Sequence, residues 1–161
     1  MHQQLIGMNK QIDVEQLKSI AIDRFRSSFN CAQSVLGAFA EVLGIEENTA
    51  NSITSGFGAG MGRLQKTCGA VTGAFMALSY NSSQKNNNNP DAKEDAILKI
   101  REFNARFLAK NKSTDCLTLL NCDLNTGSGQ EEYEIKNLRA SVCEKCIRDS
   151  ILFTTELLKQ S

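Results

Sequence analysis

In segment after segment of this chain apolar residues return every three or four positions, and no alternating, β-branched run is long enough to make a strand. Val14, Leu17, Ile20, Ala21 and Phe25 mark a helix from Asp13 to about Ser27. Cys31, Val35, Ala38, Phe39 and Val42 share a face of a second helix, which begins after Asn30 and stops at Gly44. A shorter helix is expected over Glu47 to Ser55. From Thr67 to about Tyr80 the chain is apolar on most sides, as a buried helix is. Ala96, Ile97, Ile100, Phe103 and Phe107 stripe a long helix from Asp91 to about Lys110. A short helix covers Thr114 to Leu120, and a terminal helix runs to about Lys159. The one proline falls in a polar loop, Asn81 to Pro90, and Asn125 to Gly129 reads as another loop. The fold class is therefore all-α: a compact single-domain bundle of about six helices over residues 13–160, preceded by a flexible polar leader, 1–12.

Charge and composition narrow what such a bundle can do. Lys plus Arg equals Asp plus Glu at 18 each, so no long-range field draws in nucleic acid or an anionic membrane. There is no Trp, and aromatic residues make up 6%, too few for a base-stacking platform. No segment approaches the roughly 20 apolar residues of a membrane span. Residues 1–7 lack a basic region followed by an apolar one, so a cytoplasmic location is expected. The single histidine, His2, lies in the leader, which leaves histidine-dependent catalysis and His-rich metal sites without material.

In a reducing compartment six cysteines point to metal binding or redox work more than to a disulfide framework. Their positions sharpen this. Cys31 follows Asn30, with Gln33 placed for a capping box. Cys68 follows Thr67, Cys116 follows Ser113 and Thr114, and Cys143 lies in Ser141-Val142-Cys143-Glu144. A thiol in the first turn of a helix sees the positive end of the dipole and unpaired N–H groups, which favour the reactive and metal-ligating thiolate. Cysteine is also a common core residue, and Cys31, Cys143 and Cys146 all lie on apolar faces. Cys143 and Cys146 form a CxxC whose spacing puts both sulfurs near one helix face, but no second CxxC completes a zinc ribbon.

The run Gly56-Phe57-Gly58-Ala59-Gly60-Met61-Gly62-Arg63 follows a helix rather than a strand and lacks a terminal Gly-Lys-Ser/Thr, so it is no nucleotide loop. Close backbone approach to Cys68 explains it better, with Gly58 and Gly60 offering N–H groups to sulfur or to an anionic ligand. Gly69 and Gly73, four apart, admit either a ligand or a neighbouring helix. Arg63 and Lys66 lie near Cys68 in sequence and are candidates to stabilise its thiolate.

Asn30-Cys31-Ala32-Gln33, the glycine run, Cys68-Gly69-Ala70-Val71-Thr72-Gly73, and the later Cys116 and Cys143 together resemble the C_GCAxxG_C_C family of redox-active proteins. These are small bacterial and archaeal chains with four characteristic cysteines, and the resemblance spans about residues 15 to 158. It implies that Cys31, Cys68, Cys116 and Cys143 are those four, and that Cys122 and Cys146 are additions of this chain. A related domain occurs in a cytochrome of sulfate reducers, but no Cys-x-x-Cys-His haem motif is present here.

The functional expectation is a thiolate redox site acting with a partner protein or small redox substrate. In one version Cys31, Cys68, Cys116 and Cys143 ligate an iron–sulfur cluster or another soft metal; in the other, pairs of them cycle between dithiol and disulfide. Gly58, Gly60, Gly69 and Gly73 would line the bound group. The alternative is a non-catalytic helical binding module in which the cysteines are core residues. A shared site requires the four sulfurs to meet in space, since metal–sulfur bonds are about 2.3 Å.

Overall fold

Side chains that accept the first free N–H groups decide where most of the helices begin. The computed structural model describes residues 11–160, so His2 and most of the leader lie outside the described residues. Asp13 caps α1 (Val14–Arg26), accepting from Glu15 N and Gln16 N. Asn30 opens α2 (Cys31–Leu43) through the expected capping box with Gln33, and Gly44 closes it in the left-handed conformation at φ 70°. Glu46 caps α3 (Glu47–Thr54). Cys68 itself is the N-cap of α4 (Gly69–Lys85), and Asn89 caps α5 (Pro90–Asn111) with proline at its first position. Asp115 caps the short α6 (Cys116–Leu120), and Thr126 caps α7 (Gly127–Ile135). A π-helical turn (Arg139–Cys143) leads directly into α8 (Glu144–Lys159).

The structure is all-helical, and among the described residues no strand forms. The expected count of about six helices is too low, since eight α-helices and a π-turn are present. Part of the difference is α7, which occupies the expected Asn125–Gly129 loop: the Thr126 hydroxyl accepts from Gly129 N at 3.0 Å and nucleates a helix through two glycines. Ser141 is not a helix cap. Its hydroxyl donates to Asn137 O at 3.2 Å inside the π-turn, so Cys143 sits in continuous helical backbone. Thr67 is likewise no cap but half of an isolated bridge with Asp115, and Asp115 takes the role expected of Ser113 or Thr114. α4 runs to Lys85, past the expected stop near Tyr80, and shortens the following loop to 86–89.

α4 is the middle of the bundle and packs against α2, α5 and α8, while α1 lies across α2 and α8. Its contact with α2 is close because Gly69 and Gly73 present no side chains. A Cβ on Gly73 would lie 2.8 Å from Ala32 O, and one on Gly69 would lie 3.0 Å from Cys31 Cβ. Away from this contact, Phe103 stacks on Phe107 with centroids 5.9 Å apart and meets Phe75 and Phe153 edge-on. Two carboxylates buried on α8 are each paired. Glu144 binds Arg26 through both oxygens at 2.8 and 2.9 Å, and Asp149 accepts from Lys110 at 2.6 Å, Lys145 at 3.0 Å and Asn111 at 3.1 Å. These pairs hold the start of α8, and with it Cys143 and Cys146, against α1 and α5.

A candidate thiol site at the helix starts

The starts of α2, α4 and α6 and the junction of the π-turn with α8 face one cavity of about 490 Å³. Cys31, Cys68, Cys116 and Cys143 all line it, each from a different element, and Cys146 from the first turn of α8 joins them. Cys122 does not. It is buried beside Leu120 and Leu138 in a smaller apolar cluster behind α6.

Local structure fixes each sulfur. The bridge between the segments before α4 and α6 ties two of them together: Cys68 N–H donates to Thr114 O, and Cys116 N–H donates to Lys66 O, both at 2.7 Å. Cys31 is the first residue of α2, behind the Asn30 cap. Cys143 lines the cavity from the last position of the π-turn, directly before α8. π-turns of this kind recur at functional sites.

The glycine run closes another wall. Ala59, Gly60, Met61, Gly62 and Arg63 are all left-handed, with φ between 48° and 70°. Such a run is costly for its three non-glycine residues, about 1 kcal/mol or more each. Backbone bonds from Gln65 N to Ala59 O at 3.1 Å and from Lys66 N to Gly60 O at 2.9 Å hold it. Gly60 is required by contact as well as by its φ of 70°, since a Cβ would lie 2.6 Å from Cys116 Cβ. Gly58, Gly60 and Gly69 line the cavity, whereas Gly73 serves the α2–α4 packing outside it.

Burial and mutual hydrogen bonding divide the thiols electrostatically. Cys143 is held below the ordinary thiol range by a hydrogen bond from Cys31, opposed by burial and helped by the Tyr133 hydroxyl at 3.7 Å and the Arg139 charge. Cys31 is correspondingly pushed well up by that same bond and by burial. Cys68 is lowered by a hydrogen bond from Cys146. Its sulfur makes no capping bond of ordinary geometry, yet the Ala70 and Val71 N–H groups also favour its thiolate. Cys146 is raised in turn, and burial pushes Cys116 up to about 12. A helix start alone therefore does not make a thiolate. At Cys31 and Cys116 desolvation and neighbouring thiols outweigh the dipole.

Several contributors carry no sequence signal. Gln65, buried inside a turn, donates to Cys122 O at 3.0 Å, accepts from Leu124 N at 2.8 Å and hydrogen-bonds Cys116, fastening the chain after α6 to the cavity wall. Tyr133 comes from α7. Arg139 covers the Phe25 ring at 4.1 Å, and these two also line the cavity. Arg63 lines its exposed rim, whereas Lys66 does not reach it.

Soft thiol donors of the right chemistry for iron, zinc or copper(I) thus share one enclosure. Among the described residues no three His, Cys, Asp or Glu side chains are gathered about a single ion position. Five thiols line the cavity, and a binuclear iron–sulfur unit takes four thiolates, two per iron. In kind and number, these donors match that unit.

No curated protein and no solved structure matches the chain. A family model described as "Putative redox-active protein (C_GCAxxG_C_C)" matches residues 29–157, from just before the α2 cap to near the end of α8, and so takes in every thiol of the cavity. The chain belongs to the C_GCAxxG_C_C family, whose description names redox activity.

Proposed function

We propose that this chain is an electron-transfer or redox-sensing protein whose working site is the cavity, with Cys31, Cys68, Cys116 and Cys143 as thiolate ligands of an iron–sulfur centre or another soft metal. The observation that carries the reading is the meeting of four thiols from four separate elements around one enclosure. When bound, such a centre supplies one-electron chemistry. The protein supplies the rest. Cys31 and Cys143 bear directly on each other's ionisation, and a backbone bridge joins the segments that carry Cys68 and Cys116. Burial and the apolar wall of Phe25, Phe29 and Leu119 limit water, and the Tyr133 hydroxyl donates to the Cys143 sulfur. A cytoplasmic setting, where thiols stay reduced, suits this use. Among the described residues no helix is long and apolar enough to cross a membrane.

The second reading, dithiol–disulfide cycling, draws on Cys31 and Cys143 sharing one cavity and pushing each other's ionisation in opposite directions. A visible spectrum recorded without oxygen, then after dithionite and after reoxidation, separates the two. Thiolate-to-metal absorption that bleaches and returns, and is lost in Cys116→Ser, supports the metal reading. A colourless, metal-free chain whose Cys31 and Cys143 oxidise reversibly supports the dithiol reading.

A further inference from the structure

We propose that the cavity admits a small organic anion beside the thiols, its oxyanion head against the glycine run and Arg63 and its apolar body on the wall of Phe25, Phe29 and Leu119. The acceptors of the run are committed: the carbonyls of Gly58, Ala59 and Gly60 accept from Arg63 N, Gln65 N and Lys66 N at 3.1, 3.1 and 2.9 Å. Its donors are not. Among the described residues none accepts from the consecutive N–H groups of residues 58–62, and all of these residues except Met61 line the cavity. Gly60 is buried, so its N–H cannot turn to bulk water, and a buried N–H calls for an acceptor. Successive N–H groups of a turn form a concavity suited to an anion.

The charged side chains of the lining have one sign. Among the described residues these are Arg63, directly after the run, and Arg139, and no Asp or Glu borders the cavity. Arg139 is already committed, donating to Phe25 O and lying over the Phe25 ring. Arg63 is engaged only through its backbone, where N–H donates to Gly58 O and the carbonyl accepts from Asn125 Nδ2 at 3.0 Å; its guanidinium has no carboxylate partner among the described residues. A row of donors without acceptors, ending in an arginine without a carboxylate, is what an oxyanion takes up. The first residues of α2 and α4 also line the cavity, so the positive ends of these two helices add to its potential. A volume of about 490 Å³ exceeds the needs of an inorganic ion and suits a small organic molecule, and the wall of Phe25, Phe29 and Leu119 gives its body an apolar surface. This inference names the ligand class of the cavity proposed above as the working site; it rests on that cavity, not on the metal.

The test is calorimetric titration of the full chain with phenyl phosphate, inorganic phosphate and phenol, all at one ionic strength set with chloride. Phenyl phosphate is expected to saturate a single site and to bind about tenfold or more tighter than inorganic phosphate, because its ring leaves water, while phenol shows no saturable binding. Arg63→Gln is expected to weaken phenyl phosphate about tenfold and Arg63→Lys by less, the loss of a charge-assisted contact. Lys66 is next to the run in sequence but off the lining, so Lys66→Gln is expected to change the affinity less than about twofold, as a screened surface charge does. No saturable binding of phenyl phosphate, equal affinity for phenyl and inorganic phosphate, or equal losses in Arg63→Gln and Lys66→Gln overturns the proposal. Metal content measured on the same preparation decides the four-ligand reading separately, so each can fail without the other.

Discussion

Cys68 and Cys116 are bound to each other's segments through the backbone, each N–H donating at 2.7 Å to a carbonyl two residues before the other cysteine. This two-rung bridge makes one rigid unit of the starts of α4 and α6. Neither cysteine can move without breaking a short backbone bond, so the site is built into the fold rather than laid on it.

Gly60 lies under that unit. Gly60→Ala places a methyl 2.6 Å from Cys116 Cβ and 2.7 Å from Gln65 Cα at a φ of 70°. A loss of about 2–3 kcal/mol in chemical unfolding is expected, combining left-handed strain with overpacking. Gly56→Ala, with open space at its Cβ, is expected to cost less than about 1 kcal/mol.

Tyr133→Phe removes the hydroxyl that donates to the Cys143 sulfur while leaving Cys31, the larger influence, in place. Loss of a donor to the thiolate raises the thiol's pKa. Alkylation of Cys143 in metal-free protein at pH 7.5, read on the tryptic peptide 140–145, is expected to slow about threefold, the effect of a weak hydrogen bond of about 0.6 kcal/mol. An unchanged rate shows that the contact does not act on the thiolate.

Acid should loosen the start of α8. Arg26 holds Glu144 below the usual carboxylate range. Burial alone would raise Asp149, but Lys110, Lys145 and Asn111 outweigh it and bring it down. Groups with depressed folded pKa values contribute stability above their unfolded value of about 4 and lose it as pH falls through the folded value. Denaturation midpoints are therefore expected to fall between about pH 4.5 and 3. In Glu144→Gln with Asp149→Asn the midpoint should start lower at pH 7 and fall less over that window.

How far the site could be read from sequence depends on whether local chemistry alone determines each piece. Asn30 with Gln33 sets the start of α2, and Gly44 sets its end, because both act within one turn; the caps expected before the other three cysteines fail, since Thr67 pairs in a bridge, Asp115 caps α6 and Ser141 lies inside a π-turn. The π-turn was not legible, since nothing in the residue pattern of Arg139–Cys143 distinguishes it from an ordinary helical turn. α7 was hidden because two glycines argue against a helix that the Thr126 cap nonetheless starts. Cys146 reads as half of a CxxC, and only the packing of α8 on α4 brings it to the cavity wall.

The central claim, that Cys31, Cys68, Cys116 and Cys143 hold a redox metal centre, is tested most directly by iron, zinc and acid-labile sulfide content per chain in protein purified without oxygen. About two irons and two sulfides per chain, or a stoichiometric soft metal, are expected, retained in Cys122→Ala and lost in Cys68→Ser and Cys116→Ser. Metal-free protein from cells with working cluster assembly, or metal retained equally by the Cys68→Ser and Cys122→Ala variants, contradicts it.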